Sequence, residues 1–329
     1  MQYIESPSND PAWNLALEEY VFSCMDPKEE YFMLWQNHNT VVIGKNQNTI
    51  AEINTDYVKE HNITVVRRLS GGGAVYHDMG NLNFSFIADA QNMGEINFKR
   101  FCQPVVQTLV SMGVPAEVNG RNDMIIAGRK FSGNAQYTKN DRVLHHGTLM
   151  FSSDLSVVSA ALNPNKAKLE TKGIASVSSR VCNISEFLPA DATLEDFRSK
   201  LKCNILGTDT PTPYQLTSAD LAKIEELRAA RYSQWEWNYG FSPRYQILKE
   251  KRIEGCGTLQ ISMAVEKGAI RDIQFLGDFF DFGNLDVLSA KLQGCTIQKE
   301  PLTKLLEDMD ISQYIRGLTA EALADLIAN

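Results

Sequence analysis

No apolar run in this chain of 329 residues approaches the roughly 20 residues that a membrane-spanning helix needs. Its first residues, Met1-Gln2-Tyr3-Ile4-Glu5-Ser6-Pro7, hold neither a basic nor an apolar stretch, so no secretory leader is expected. Cysteine occurs six times (Cys24, Cys102, Cys182, Cys203, Cys256, Cys295) but never as C-x-x-C. That spacing disfavours a zinc site or a dense disulfide framework and suits a reducing cytoplasm. Basic charge is in deficit: 32 Lys and Arg face 40 Asp and Glu, a net charge of -8. Non-specific nucleic-acid binding is therefore not expected, although one basic pocket remains compatible. Both common nucleotide fingerprints are missing. A G-x-G-x-x-G starting at Gly71 would need glycine at Tyr76, and no G-x-x-x-x-G-K-[ST] occurs. A Rossmann fold and a P-loop NTPase are disfavoured. Histidine is sparse, and all five lie before Gly147, which confines imidazole chemistry to the N-terminal half. Repeats and low-complexity tracts are absent; the length suits about two domains.

What is present converges on Arg67-Arg68-Leu69-Ser70-Gly71-Gly72-Gly73-Ala74-Val75-Tyr76-His77-Asp78. The β-branched Ile63-Thr64-Val65-Val66 before it predicts a strand. Asn81-Leu82-Asn83-Phe84-Ser85-Phe86-Ile87 after it alternates apolar with polar, which predicts a half-buried strand. The glycines then form a tight connection with two arginines at its mouth. Small residues let backbone approach a ligand and can turn successive N–H groups into an anion nest. Arg67 and Arg68 add forked donors suited to phosphate or carboxylate.

Around this stretch the chain reads in order. Asp10 and Pro11 open a helix through Val21, with Trp13, Leu17 and Tyr20 facing the core. Phe32 to Asn37 and Thr40 to Gly44 are two strands joined by a polar turn; Trp35 is either a core aromatic or a pocket wall. Lys45 and Gln47 are either ligand contacts or solvated loop residues. Phe98 to Met112 has helical spacing, with Pro104 as a warning of a kink, and Cys102 reads as a small buried hydrophobe. Met124 to Ala127 is a short strand, Gly128-Arg129 a hairpin turn, and Lys130 begins the next strand toward Ser132-Gly133-Asn134-Ala135-Gln136. In Val143 to Phe151, alternation sends His145 and His146 to opposite faces, so at most one faces a ligand. Lys172 to Asn183 is serine-rich and short of bulky side chains, and taken alone reads as a flexible loop. Ser218 to Tyr232 is a charged helix leading to Trp235-Glu236-Trp237, and Ser242-Pro243 with the basic run to Lys251 reads as a linker. Leu259 to Val265 and Ala269 to Phe275 form a hairpin, and Thr319 to Ile327 a last helix.

Three blocks, R-R-x-S-G-G-G-A-V-Y-H-D-x-G-N, G-x-K-x-S-G-x-A-Q and H-H-G-T-L, resemble those of lipoate–protein ligases and occur in the same order. The chain resembles that family over its whole length. The resemblance implies an α+β fold: a catalytic domain of mixed, largely antiparallel β-sheet flanked by helices (residues 1–246), then a small α/β accessory domain (247–329). It implies that free lipoate is activated by ATP and Mg2+ to lipoyl-AMP with release of pyrophosphate. The lipoyl group would then pass to a lysine of a carrier protein, the lipoyl domain of a 2-oxoacid dehydrogenase E2 or the glycine-cleavage H protein. Carried over on the matching motifs, Lys130 is the catalytic residue, and Lys172 to Asn183 resembles the family segment that closes over the adenylate, a mobile lid. Arg68, Gly73, Ala74, Val75, Tyr76, Asn122, Asp123, Lys130 and Arg180 would bind ATP or the adenylate. Trp35, Ser70, Gly72, His77, Lys130 and His146 would bind lipoate, and Asp123 is the candidate magnesium ligand. An apolar slot for the acyl tail would be lined from Trp35 and the strands near Leu82 and Phe84. The rival is an ATP-independent octanoyl- or lipoyltransferase with a cysteine nucleophile, for which Cys182 is the candidate.

Overall fold

The computed structural model describes residues 1–90, 98–120, 122–162, 180–239, 247–266, 268–282 and 284–328. Its backbone clusters into two compact units that do not follow chain order. One gathers Met1–Val42, Ile53–Arg67 and Val75–Asn238; the other gathers Ile43–Glu52, Arg68–Ala74 and Tyr239–Asn329.

The larger unit is built on a seven-stranded sheet. Its strands are β1 (Gln2–Glu5), β2 (Tyr31–Trp35), β6 (Asn81–Asp89), β10 (Arg142–Met150), β9 (Arg129–Lys139), β8 (Asp123–Ile126) and β7 (Ala116–Asn119), in that spatial order. Only β1 and β2 run parallel, so the sheet is mixed and mostly antiparallel. A smaller sheet of β4 (Thr64–Arg67), β3 (Thr40–Ile43) and β5 (Val75–His77) accompanies it. Helix α1 (Pro11–Ser23) opens as its sequence dictates: Asp10 accepts the Ala12 N–H at 2.9 Å and Pro11 occupies the first turn. It packs against Tyr31, Met33, Trp35, Ile87 and Leu144 on one face of the large sheet. Every residue from Pro11 to Phe22 is buried, including Asn14, Glu18 and Glu19. The expected single apolar face is thus a helix enclosed on all sides, and its acidic residues need internal partners.

On the opposite sheet face lies the helix Phe98–Ser111, which includes Pro104 without interruption. His145 points to this side. Its ring stacks on Phe101 (5.0 Å) and meets Phe84 and Phe98, while Gln136 Nε2 donates to its Nδ1 at 2.9 Å. Burial pushes its pKa well below the usual imidazole value. The unfolded chain therefore binds a proton that the folded chain refuses once pH falls below about 6.5. Stability is expected to drop as pH is lowered from 7 to 5, by up to about 1.4 kcal/mol per pH unit from this group. Chemical denaturation across that range should show a flatter acid limb for His145→Gln; an unchanged limb would contradict the assignment.

Strand β6 departs from its half-buried expectation. Asn81, Asn83 and Ser85, its polar positions, are as buried as Leu82 and Phe84. Alternation marks two different internal faces here, one apolar and one polar. The turn before β9 sits at Ala127-Gly128, one residue earlier than expected, with positive φ at both (49° and 76°) as a two-residue hairpin requires. The charged helix from Ser218 gives way to a wider turn at Arg228–Tyr232.

In the other unit, β11 (Ile247–Ile253), β12 (Gly257–Glu266) and β13 (Ala269–Gly277) form an antiparallel sheet. Helices Leu285–Leu292, Lys299–Asp308 and Ala320–Ala328 bury Leu288, Leu302, Leu306 and Leu323 against it. The basic run to Lys251, expected as linker, is strand β11: Lys249 and Lys251 reach Ile327 O and Asp325 across its surface. Residues 240–246 and most of the expected lid, Lys172 to Ser179, lie outside the described residues.

Candidate active site

The larger unit brings Trp35, His77, Asp123, Lys130 and His146 to one side of its sheet. Cross-strand register aligns Trp35 with Asn83 and Asn83 with Thr148. Gly133 N donates to Thr148 Oγ1 at 3.2 Å, and Gly133 pairs with Asp123. The row two residues away runs Met33, Ser85, His146, Ala135. Residues two apart on a strand share a face, so these two rows are one continuous surface. Lys130 closes it: its Nζ lies 2.7 Å from Asp123 Oδ1, both side chains being 38% exposed.

Helix α1 supplies what the sequence reading missed. Glu18, fully enclosed, accepts from Ser85 Oγ at 2.6 Å and meets His146 Nδ1 at 2.9 Å. Trp35 Nε1 in turn donates to Ser85 Oγ at 2.9 Å. A carboxylate against Nδ1 fixes the ring orientation and makes Nδ1 the protonated nitrogen. Trp35 is therefore anchored by its indole N–H and stands edge-on to His77, with ring centres 6.0 Å apart. His77 is set the opposite way: the side-chain amides of Asn37 and Asn83 both approach its Nδ1, at 3.2 and 3.4 Å. An amide N–H can only donate, so Nδ1 accepts and the proton sits on Nε2. Glu18, Asn37, Asn83, Ser85 and Thr148 carried a faint signal, polar residues inside otherwise apolar elements. Leu82 and Phe84, expected beside the acyl tail, point away from this surface, because Asn83 and Ser85 occupy the facing positions of β6. Phe84 packs instead on His145 and Phe86.

Asn122 is engaged within the hairpin. Its Nδ2 donates to Asn134 O at 2.7 Å and its carbonyl accepts from Asn134 N and Nδ2, a clamp across the Lys130 hairpin. Arg180 stands just before Val181, which bridges Lys130 in parallel, and Cys182 N donates to Lys130 O at 2.9 Å. The far end of the expected lid is thus tied to the lysine's own backbone. Tyr76 is buried on β5 with its hydroxyl on Asn39, and burial pushes its pKa up to about 12; Val75 precedes it on the strand.

The two arginines diverge. Arg67 is 2% exposed and was expected at the ligand; instead its Nε and Nη2 donate to the carbonyls of Trp237 and Asn238. Trp237 Nε1 returns a bond to Arg67 O at 2.8 Å, while Trp235 is exposed. Desolvation lowers the Arg67 pKa to about 10. Arg68 belongs to the other unit, with Ser70, Gly72, Gly73 and Ala74. There its guanidinium folds back on the loop, Nε to Ser70 Oγ and Nη2 to Gly71 O and Gly73 O at 2.7 and 2.9 Å. Gly72 (φ 91°) donates its N–H to Phe279 O at 3.1 Å. Lys45 pairs with Asp281 at 2.6 Å, and Gln47, buried rather than solvated, accepts the Gly44 N–H.

The cysteines bear on the transferase alternative. Cys182 is fully buried with its thiol toward Arg129 O, and burial raises its pKa. Cys102 is pushed up to about 12 by the same cause. A nucleophilic thiol needs access and a lowered pKa, and these two have neither. Cys182→Ser is expected to keep at least half of the wild-type activity; loss of activity on that change would restore the cysteine mechanism. Among the described residues no three His, Cys, Asp or Glu side chains converge on a metal position, and no helix is long and apolar enough to cross a membrane.

This is an α+β fold of the lipoyl-ligase type. It aligns with a solved structure of lipoate–protein ligase A bound with ATP over 73% of this chain and 99% of that one (TM-score 0.63, 26% identity). It also aligns with an archaeal bipartite lipoate protein ligase from Thermoplasma acidophilum, analysed with its E2 lipoyl domain, over 75% of this chain and 98% of that one (TM-score 0.64, 28% identity). Residues 10–206 match the lipoyl protein ligase A/B catalytic domain, and residues 242–327 match the bacterial lipoate protein ligase C-terminus. The lipoate–protein ligase LplJ of Bacillus subtilis is 45% identical over 99% of this chain and all of its own length. The chain belongs to the lipoate–protein ligase family.

Proposed function

We propose that the chain is an ATP-dependent, AMP-forming lipoate–protein ligase whose reaction centre is Lys130. The observation that carries the residue assignment is the Lys130–Asp123 pair at the end of the surface formed by Trp35, Asn83, Thr148 and His146. The relatives' names, and the ATP-bound and lipoyl-domain-associated neighbours, support the substrates.

Amide formation from a free acid needs an activated acyl group. The lipoate carboxylate attacks the α-phosphorus of ATP, a P–O bond forms, and pyrophosphate leaves. Two anions must then be held together while charge builds on the phosphoryl oxygens, a task for positioned cations and N–H donors. Lys130 bridges the carboxylate and the α-phosphate in this reading. Arg68, Gly73, Ala74 and the backbone of Val75 and Tyr76 cradle the nucleotide, with Asn122 fixing the hairpin and Arg180 at the phosphate side. Trp35, His77 and His146, with Ser70 and Gly72, receive the acid. The acceptor lysine then attacks the mixed anhydride and expels AMP. Magnesium suits the triphosphate itself, since Mg2+ commonly binds through phosphates and a few waters. Asp123 already neutralises an ammonium, which makes it a weak candidate for a second cation. Residues 1–246 carry both half-reactions in this reading, 247–329 form the accessory domain, and the cytoplasm is the compartment. The acceptor class is a lipoyl domain or the H protein.

Incubation with ATP, Mg2+, lipoate and an apo lipoyl domain is expected to add one lipoyl group to the acceptor, read by intact-protein mass. Acceptor left unmodified with ATP and lipoate, yet acylated by an acyl-carrier thioester, would overturn the reading.

A further inference from the structure

The register between β8 and β9 contains an irregularity at the reaction centre. Asp123 pairs with Gly133 and Met124 with Ser132, but Ile125 pairs with Lys130, so Phe131 is an extra residue on β9. A bulge of this kind re-aims its neighbours and recurs beside active sites. Phe131 is fully buried, the Asn122–Asn134 clamp holds the strand on one side, and the Val181 bridge holds Lys130 on the other. The lysine backbone is therefore fixed while its side chain is turned along the strand.

That side chain lies across Gly133. A Cβ added at Gly133 would stand 3.0 Å from Lys130 Nζ and 3.2 Å from its Cε, closer than ordinary contact. Beyond Gly133 the ammonium ends on Asp123 Oδ1, which belongs to Gly133's own cross-strand partner. Shelf and counter-ion are thus neighbours, and the floor beneath them is pinned by the Gly133 N–H on Thr148. A lysine side chain has four rotatable bonds, and ordering it before substrates arrive removes that cost from the reaction. A pair this exposed is also weak enough to be exchanged for a stronger anion.

We propose that Gly133 and Asp123 are positioning residues for the adenylation step. Gly133 gives Lys130 a shelf that no other residue type leaves empty. Asp123 holds the ammonium in place until the lipoate carboxylate and the α-phosphate replace it. This rests on Lys130 being the bridging cation.

The test is a double-mutant cycle on the single-turnover rate of lipoyl-AMP formation, with melting temperature and KM values in parallel. Gly133→Ala is expected to slow adenylation about 10- to 100-fold, the scale of an ångström-level misplacement. Melting temperature and the KM values for lipoate and ATP should stay unchanged, because the displaced group is the end of a flexible chain. In a Lys130→Ala background the same change should cost nothing further. An equal loss in both backgrounds, or a wild-type rate for Gly133→Ala, would overturn the proposal. Should Gly133→Ala fail to fold, Asp123→Asn decides: it is isosteric, and about a tenfold slower step at an unchanged Mg2+ requirement is expected. A wild-type rate, or a raised Mg2+ requirement that marks Asp123 as a metal ligand, would sink it. Full activity of Lys130→Ala would instead defeat the underlying reading.

Discussion

Lys130→Ala is expected to lower lipoate-dependent pyrophosphate release from ATP by roughly 10^3-fold or more, with the fold intact. Removing a single preorganised donor from a developing charge costs about 10^2- to 10^3-fold in other enzymes, and a cation shared by two anions should cost at least as much. Stability is a separate matter. The Lys130–Asp123 pair is more than one-third exposed on both sides, and exposed pairs contribute about 0–1 kcal/mol. The melting temperature should therefore move by no more than a few degrees. Steady-state pyrophosphate release and differential scanning calorimetry on the same preparation separate the two effects. A variant that is unfolded, or one that still releases pyrophosphate at a wild-type rate, would contradict the role assigned to Lys130.

Gly147→Ala should act the other way round, through the sheet rather than the chemistry. A Cβ there would fall 2.1 Å from Asn134 Oδ1 and 2.6 Å from the Phe84 ring. Neither neighbour can yield cheaply. Asn134 is the clamp to Asn122, and Phe84 is fully buried against His145 and Phe86. Overpacking a rigid core site costs about 1–3 kcal/mol and sometimes more. At roughly 2–4 °C per kcal/mol for a domain of this size, a fall in melting temperature of up to about 12 °C is expected. Activity should decline with it, because the clamp also holds the Lys130 hairpin. A melting temperature equal to wild type would show that the sheet accepts the methyl group.

Much of this architecture was legible in the residues. Asp10-Pro11 announced α1, the β-branched run announced β4, and the alternation around Glu266 and Gly268 announced the accessory hairpin. The motif residues Trp35, His77, Asp123, Lys130 and His146 reach one sheet face. What escaped was the identity of their neighbours. Alternation in β6 separates two faces without saying that both are internal, so a half-buried strand was expected where Asn83 and Ser85 are as buried as Leu82 and Phe84. Glu18 was invisible for the same reason: a carboxylate on an amphipathic helix ordinarily faces water, and only the tertiary enclosure of α1 reveals its partners. Arg67 and Arg68 are adjacent and chemically identical, and sequence had no means to assign one to Trp237 and the other to the glycine loop. Lys249 and Lys251 read as linker because a basic edge strand and a basic linker share a composition.

The most direct test of the account is a single turnover of the protein with lipoate and α-labelled ATP in the absence of any acceptor, quenched and resolved for lipoyl-AMP. The account predicts one equivalent of lipoyl-AMP per active site, discharged on adding an apo lipoyl domain and missing in Lys130→Ala. An ATP-independent transfer from an acyl-carrier thioester, with no adenylate formed and activity abolished by replacing a cysteine, would contradict it.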